Sequence, residues 1–283
     1  MEYKSAHTIL YLDKVSVGYP DKDEPENLKK MNMILKDVSL IEKDVTREGH
    51  KATGQTIAII GRSGRGKSTL FKALTGLIKP TSGQVLIANL HDPVEGSAKA
   101  VEEGDVGFVD QKYTLFRHKT ITEIFHYAMR KINSTKAEKD ELINKYLNEW
   151  GLIEHKNKYS CELSGGQRQR TAIIEQMLTS KHFVVFDEPF SGLDVGNIEK
   201  VKLAMEKILS DDELNTIIFS THDIRLAAEL ADSIYLIGHP EGVADYSTIV
   251  KHFDLKEMGL AWTPYGDGHR ALVKEIKEIL LRS

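Results

Sequence analysis

The sequence is poor in the features that mark several protein classes. A single cysteine, Cys161, has no partner for an internal disulfide, so stability has to come from packing. Lys and Arg number 38 against 42 Asp and Glu, a net charge of −4, so no basic field is present to hold nucleic acid. Apolar runs are brief, as in Ile57-Ala58-Ile59-Ile60, far short of the roughly 20 residues that cross a bilayer. The opening Met1–His7 leads only into Ile9–Leu12, which is no secretory signal. None of the 11 histidines falls in a His-Glu-x-x-His or Cys/His spacing, which removes the case for zinc. No internal repeat or low-complexity tract occurs. What remains is an ordinary globular composition, 41% hydrophobic and 28% charged, over 283 residues. The expected location is the cytoplasm, or a membrane surface reached only through a partner.

Short β-rich runs recur at Thr56–Ile60, Phe183–Phe186, Thr216–Ser220 and Ser233–Ile237. Their unbroken apolar character predicts strands buried on both faces of a parallel sheet. Helical patterns between them predict an α/β core. Lys67–Leu74 reads as a helix closed by Gly76. Between Ala137 and Trp150, the residues Leu142, Ile143, Tyr146, Leu147 and Trp150 share one helical stripe. With Thr120–Ile132 they form a helical block inside the α/β pattern. The polar stretches Asp21–Asn32 and Glu42–Gly54 predict surface loops or hairpin insertions. Ala271–Leu281 predicts a short amphipathic helix.

The chemistry begins at Gly61-Arg62-Ser63-Gly64-Arg65-Gly66-Lys67-Ser68, which fits G-x-x-x-x-G-K-[ST] between a predicted strand and a predicted helix. The glycines let successive backbone N–H groups point inward as a nest for phosphate oxygens, and the helix N-terminus adds its positive end. Lys67 is placed to reach the β- and γ-phosphates, and Ser68 to bind Mg²⁺. A second strand, Phe183–Phe186, ends in Asp187 and Glu188, where ligands sit in open α/β sheets. Asp187 suits a Mg²⁺ water shell, and Glu188 suits a general base for an attacking water.

Leu163-Ser164-Gly165-Gly166-Gln167-Arg168-Gln169-Arg170 is a further helix start, with Ser164 as N-cap and Gln167 as its capping-box partner. With this motif the sequence resembles the ATP-binding cassette (ABC) ATPases, from about Tyr11 to Ile237. Leu163–Gln167 matches their signature. Gln111 matches the Q-loop glutamine, Ser191-Gly192-Leu193-Asp194 the D-loop, His222 the switch histidine and Tyr19 the aromatic that stacks on adenine. The resemblance implies that Gln111 touches Mg²⁺ or the attacking water and that His222 meets the γ-phosphate beside Glu188. It assigns Gly61, Ser63, Gly64, Arg65, Gly66, Lys67, Ser68 and Thr69 to one side of ATP. Ser164, Gly165, Gly166, Gln167 and Asp194 are assigned to the other. Two departures stand out. Tyr19 lies 42 residues before Gly61, a longer interval than the family usually shows. Arg65 stands where the family usually has a small residue, and it is expected to project into solvent.

The fold implied is a P-loop NTPase (RecA-like) core with an antiparallel β subdomain and an inserted α-helical subdomain. The implied division is 1–110 for the β subdomain and P-loop half, and 111–170 for the Q-loop and helical subdomain. The second half of the core follows at 171–240, and a short C-terminal helical tail at 241–283. With one P-loop and one signature, the resemblance implies a homodimer or cassette pair, head-to-tail around two ATP. It also implies separate transmembrane permease subunits, a possible solute-binding protein and a place on the inner face of the cell membrane, while the acidic balance argues for no nucleic acid. Tyr113, Leu115 and Phe116 are candidates either to line the permease groove or to pack the helical block. The finer likeness is to nitrate/sulfonate/taurine import ATPases, with an export cassette or a soluble non-transport ABC ATPase as alternatives.

Overall fold

A computed structural model describes residues 3–21, 31–47, 54–89, 97–179 and 182–283. The chain begins with a long antiparallel hairpin, β1 (Tyr3–Pro20) and β2 (Met31–Arg47), followed by β3 (Gln55–Ile60) and α1 (Lys67–Leu74). Next come β4 (Ser82–Ala88), β5 (Ala98–Ala100) and β6 (Val106–Val109), then the helices α2 (Ile121–Ala128), α3 (Lys136–Glu149) and α4 (Gly165–Thr179). The core resumes with β7 (Phe183–Phe186), α5 (Val195–Asp211), β8 (Thr216–Thr221), α6 (Ile224–Leu230) and β9 (Ser233–Gly238). It ends with β10 (Thr248–Asp254) and α7 (Asp267–Arg282).

Two sheets result. One is antiparallel in the order β2-β1-β4-β5, and the other runs β10-β9-β3-β8-β7-β6 with only β10 antiparallel to its neighbour. Alternation along β3 explains its apolar run. Ala58 and Ile60 join the core under α4, α5 and the helical block, whereas Ile57 and Ile59 join a second core shared with α1 and the antiparallel sheet. All six β3 residues are buried, as a central strand covered on both faces requires.

Local chemistry starts the helices of the inserted block. Thr120 and Glu123 form a reciprocal capping box at α2, and Thr135 and Glu138 form another at α3. The predicted box of Ser164 and Gln167 also closes: Gln167 N donates to Ser164 Oγ at 3.3 Å, and Ser164 N donates to Gln167 Oε1 at 2.9 Å.

Three expectations change. Glu42–Arg47 continues β2 instead of forming a loop, because Glu42 at its start is buried and paired, not solvated. Glu42 is 3% exposed and lies 3.7 Å from Lys256 Nζ, while the Tyr235 hydroxyl donates to Ile41 O beside it. Residues 22–30 and 48–53 of the two polar stretches lie outside the described residues. The segment after 241 is not only helical, since β10 adds an edge strand to β9 before α7. That last helix is also longer than predicted, because a buried His269 accepts from Gly266 N and donates to Leu260 O, extending it by a turn.

Helix α4 buries one carboxyl with a consequence for stability. Glu175 lines a small cavity with Asp110, Thr114 and Gln176, and Arg130 acts on it from the turn after α2. Burial pushes its carboxyl from 4.5 up to about 7. Between those values the folded chain keeps a proton that the unfolded chain has released, so stability falls as pH rises through that window and is level above it. Glu175→Gln should remove this slope and stabilise the protein by about 3 kcal/mol at pH 8. Urea unfolding at pH 5 and pH 8 measures it, and an unchanged slope in the variant would refute it.

Candidate functional site

The ends of β3, β6, β7 and β8 lie side by side in the parallel sheet, and the predicted chemistry collects there. Residues 61–66 form the turn between β3 and α1. Gly66 caps α1 at φ +83, and a Cβ there would meet Leu35 Cδ2 at 2.7 Å. Gly61 tolerates no side chain either, since a Cβ would sit 2.5 Å from Ile237 O. The loop therefore threads closely between β2 and β9, which only glycine permits at both points.

Lys67 is buried and turns back across this loop. Its Nζ donates to Gly61 O at 2.8 Å and to Arg62 O at 3.4 Å, and it pairs with Glu188 Oε1 at 3.3 Å. The other oxygen, Glu188 Oε2, lies 2.9 Å from His222 Nδ1. His222 is 68% exposed and Glu188 17%, so the pair closes the mouth of the site. Behind them, Ser220 Oγ donates to Asp187 Oδ1 at 2.7 Å and accepts from Glu188 N at 2.9 Å. Ser220 belongs to none of the motifs named above. Its only sequence signal is its place at the end of β8, two residues before His222.

The other predicted residues are distributed as follows. Ser63, Gly64 and Ser68 are exposed on the loop and the first turn of α1, with Thr69 half-buried beside them. Gln111 is exposed just past β6. Tyr19 is 45% exposed, opposite Asn32 on the same hairpin whose Leu35 meets Gly66. Asp194 caps α5, accepting from Asn197 N at 2.9 Å. Among the described residues, the hydrogen bonds of Ser164 and Gln167 stay within the start of α4, and none reaches the loop. This chain thus brings the loop, Asp187, Glu188 and His222 together, with no hydrogen bond among the described residues from Ser164 or Gln167 to any of them.

Arg65 departs from expectation. It is half-buried, with Nη1 against His239 Nε2 and Nη2 donating to Ser283 O at 3.4 Å. His239 Nδ1 lies 2.7 Å from Tyr246 O. The guanidinium therefore packs on the end of β9 and the last residue of the chain instead of entering solvent. Tyr113 and Leu115 pack against the core, and of the three groove candidates only Phe116 is exposed.

A glycine-rich loop between a parallel strand and a helix, facing two carboxylates at the end of another strand of the same sheet, defines a P-loop nucleotide-binding protein. A family model described as ABC transporter matches residues 49–191, about half of the chain. The sulfate/thiosulfate import ATP-binding protein CysA of Thermosynechococcus vestitus is 32% identical over 80% of this chain and 65% of its own length. A probable ABC transporter ATP-binding protein of Campylobacter jejuni is 35% identical over 71% of this chain and 79% of its own. The chain therefore belongs to the ABC transporter family, as an ATPase cassette. Among solved structures, a dimeric post-hydrolysis ATP-binding cassette bound to ADP and phosphate superposes with a TM-score of 0.65 at 24% identity. That match covers 87% of this chain and 99% of the other. An ATP-binding subunit of an ABC transporter gives a TM-score of 0.63 at 21% identity, covering 94% and 99%. At these identities the likeness is one of fold. No helix among the described residues is long and apolar enough to cross a membrane.

Proposed function

We propose that this chain is the ATP-hydrolysing subunit of an import system, working as a head-to-tail pair that drives separate membrane-embedded permease subunits from the cytoplasmic face. The observation that carries the reading is the Lys67–Glu188–His222 cluster at the mouth of the phosphate loop. With ATP present, Lys67 exchanges Glu188 for the β- and γ-phosphates, and the loop N–H groups take the remaining oxygens. Glu188, released from the lysine, accepts a proton from the attacking water, while His222 holds its other oxygen and faces the γ-phosphate. Ser220 keeps Asp187 and the Glu188 backbone in register. Tyr19 supplies a ring face for the adenine, and the signature residues Ser164–Gln167 and Asp194 complete the site of the opposing chain.

Ser68, Asp187 and Gln111 present a hydroxyl, a carboxylate and an amide oxygen, the hard donor set that Mg²⁺ prefers. These residues would hold the ion, which when bound offsets phosphate charge. Asp187 Oδ2 serves best, since Oδ1 already accepts from Ser220.

For permease docking, support comes from the helical block. Phe116 and Tyr127 are 37% and 40% exposed, meeting edge to face at 5.1 Å, and Arg130 lies 4.2 Å over the Tyr127 ring. Arg130 also lines a cleft of about 590 Å³ with Leu77 and Lys131. Aromatic and arginine side chains of this kind anchor protein interfaces. The tagged chain, purified from detergent-solubilised native membranes, should carry polytopic subunits and a solute-binding protein. Phe116→Ala with Tyr127→Ala should release them while ATP hydrolysis by the isolated chain persists. Co-purification with ribosomes or DNA in their place would overturn the reading.

A further inference from the structure

The turn that presents Glu188 is conformationally unusual. Glu188 sits at φ +52 immediately before Pro189, whereas a residue before proline ordinarily takes extended backbone. A non-glycine residue at positive φ persists only where its surroundings hold it there. Three hydrogen bonds do so. Glu188 N donates to Ser220 Oγ at 2.9 Å, Ser191 N donates to Glu188 O at 3.1 Å, and the Tyr113 hydroxyl donates to Pro189 O at 3.2 Å.

The third bond comes from a second strained turn. Tyr113 is itself at φ +49, two residues after Gln111, and its N–H donates to Asp110 O at 3.1 Å. Its hydroxyl has a single proton, which goes to Pro189, so its oxygen is left to accept. It accepts from Gln169 Nε2 at 2.9 Å. Gln169 is 7% exposed and lies on α4, two residues after Gln167 of the signature. One hydroxyl therefore joins three elements: the turn after β6, the first turns of α4 and the turn that aims Glu188.

We propose that Tyr113 is a positioning residue for hydrolysis, whose hydroxyl transmits the orientation of the signature helix to Glu188 of the same chain. Without the bond to Pro189, the turn loses one of its three restraints and Glu188 wanders from its line to the water. Without the bond from Gln169, the hydroxyl is free to rotate away from Pro189. In a head-to-tail pair the signature of one chain meets the ATP of the other. Engagement of α4 at one ATP would then adjust the base at the second ATP. This last step rests on the pairing proposed above, whereas the aiming of Glu188 does not.

The test uses the full chain as wild type, Tyr113→Phe, Gln169→Leu and the double variant. Tyr113→Phe keeps the ring and removes only the hydroxyl. Each single variant should lower kcat by about ten-fold, the worth of one buried hydrogen bond, with KM for ATP and nucleotide affinity within about two-fold of wild type. The double variant should be no slower than the slower single, because both lesions cut one chain of bonds. The Hill coefficient for ATP should exceed 1 in wild type and fall to 1 in each variant. Unchanged kcat in Tyr113→Phe, or about a hundred-fold loss in the double variant, would overturn the proposal. A loss of kcat with an unchanged Hill coefficient would overturn the transmission from α4. If wild type is non-cooperative and forms no ATP-dependent pair, the pairing fails. The kcat losses and their non-additivity would still establish the aiming role. Should Tyr113→Phe not fold, Gln169→Leu carries the same expectation with the tyrosine intact.

Discussion

Glu188→Gln is expected to abolish turnover while leaving ATP binding intact or tighter. The amide is isosteric, so the turn at φ +52 and the contact with His222 survive, but the group no longer accepts a proton from water. Removal of a positioned general base costs on the order of 10²–10⁴ in rate. The same substitution removes the charge that holds Lys67 at 3.3 Å. The lysine then meets the phosphates without first breaking an ion pair, which is why affinity should not fall. The variant should accumulate as a long-lived ATP-bound pair, visible by size-exclusion chromatography, with phosphate release near background. Turnover within about ten-fold of wild type would remove Glu188 from the role of base.

The second large effect concerns where the halves of each ATP site come from. Within one chain the hydrogen bonds of Ser164 remain at the start of α4, and none among the described residues reaches the phosphate loop. Lys67→Ala should lose phosphate binding, and Ser164→Arg should block the signature face with bulk and charge. Each homodimer is then inactive. When the two are mixed, a shared site predicts one dimer site with both lesions and a twin with neither. With random twofold pairing, half the dimers are mixed and half of their sites are whole, so hydrolysis should recover to about a quarter of wild type. If both residues served one ATP within one chain, no intact site would exist. Strong coupling between sites lowers the recovery, so ATP-dependent dimerisation is to be followed in parallel. Absence of recovery by both readouts, with mixed dimers demonstrated, would refute the shared site.

Much of this architecture is legible before folding because its signals are short-range. The strand Phe183–Phe186 falls where its apolar run puts it, and the helix Lys67–Leu74 falls where the sequence places it. The capping box of Ser164 and Gln167 spans three residues and closes as read. Polar segments mislead for a definite reason: polarity reports exposure only when no partner waits in the fold. Glu42 meets Lys256 under a stacked Tyr235 and His252, and its segment becomes strand. Arg65 meets His239 across 174 residues of sequence, a separation at which no local pattern operates. Tyr113 presents the same difficulty, since ring burial and hydroxyl bonding depend on Gln169 and Pro189 arriving from other elements.

The sequence by itself determined which chemistry this protein can hold. A phosphate loop needs particular glycines within eight residues, a carboxylate pair needs only a strand to carry it, and a signature needs only its own helix start. Each is a local requirement, written in adjacent residues. Tertiary structure alone decided how these parts are poised. Because β3, β8, β7 and β6 are neighbours in the sheet, Lys67 rests on Glu188, Ser220 ties the Asp187 carboxylate to the Glu188 backbone, and Tyr113 reaches the turn that carries the base. Those contacts depend on distances of 2.7 to 3.3 Å between groups far apart in the chain, and only the packed sheet sets them.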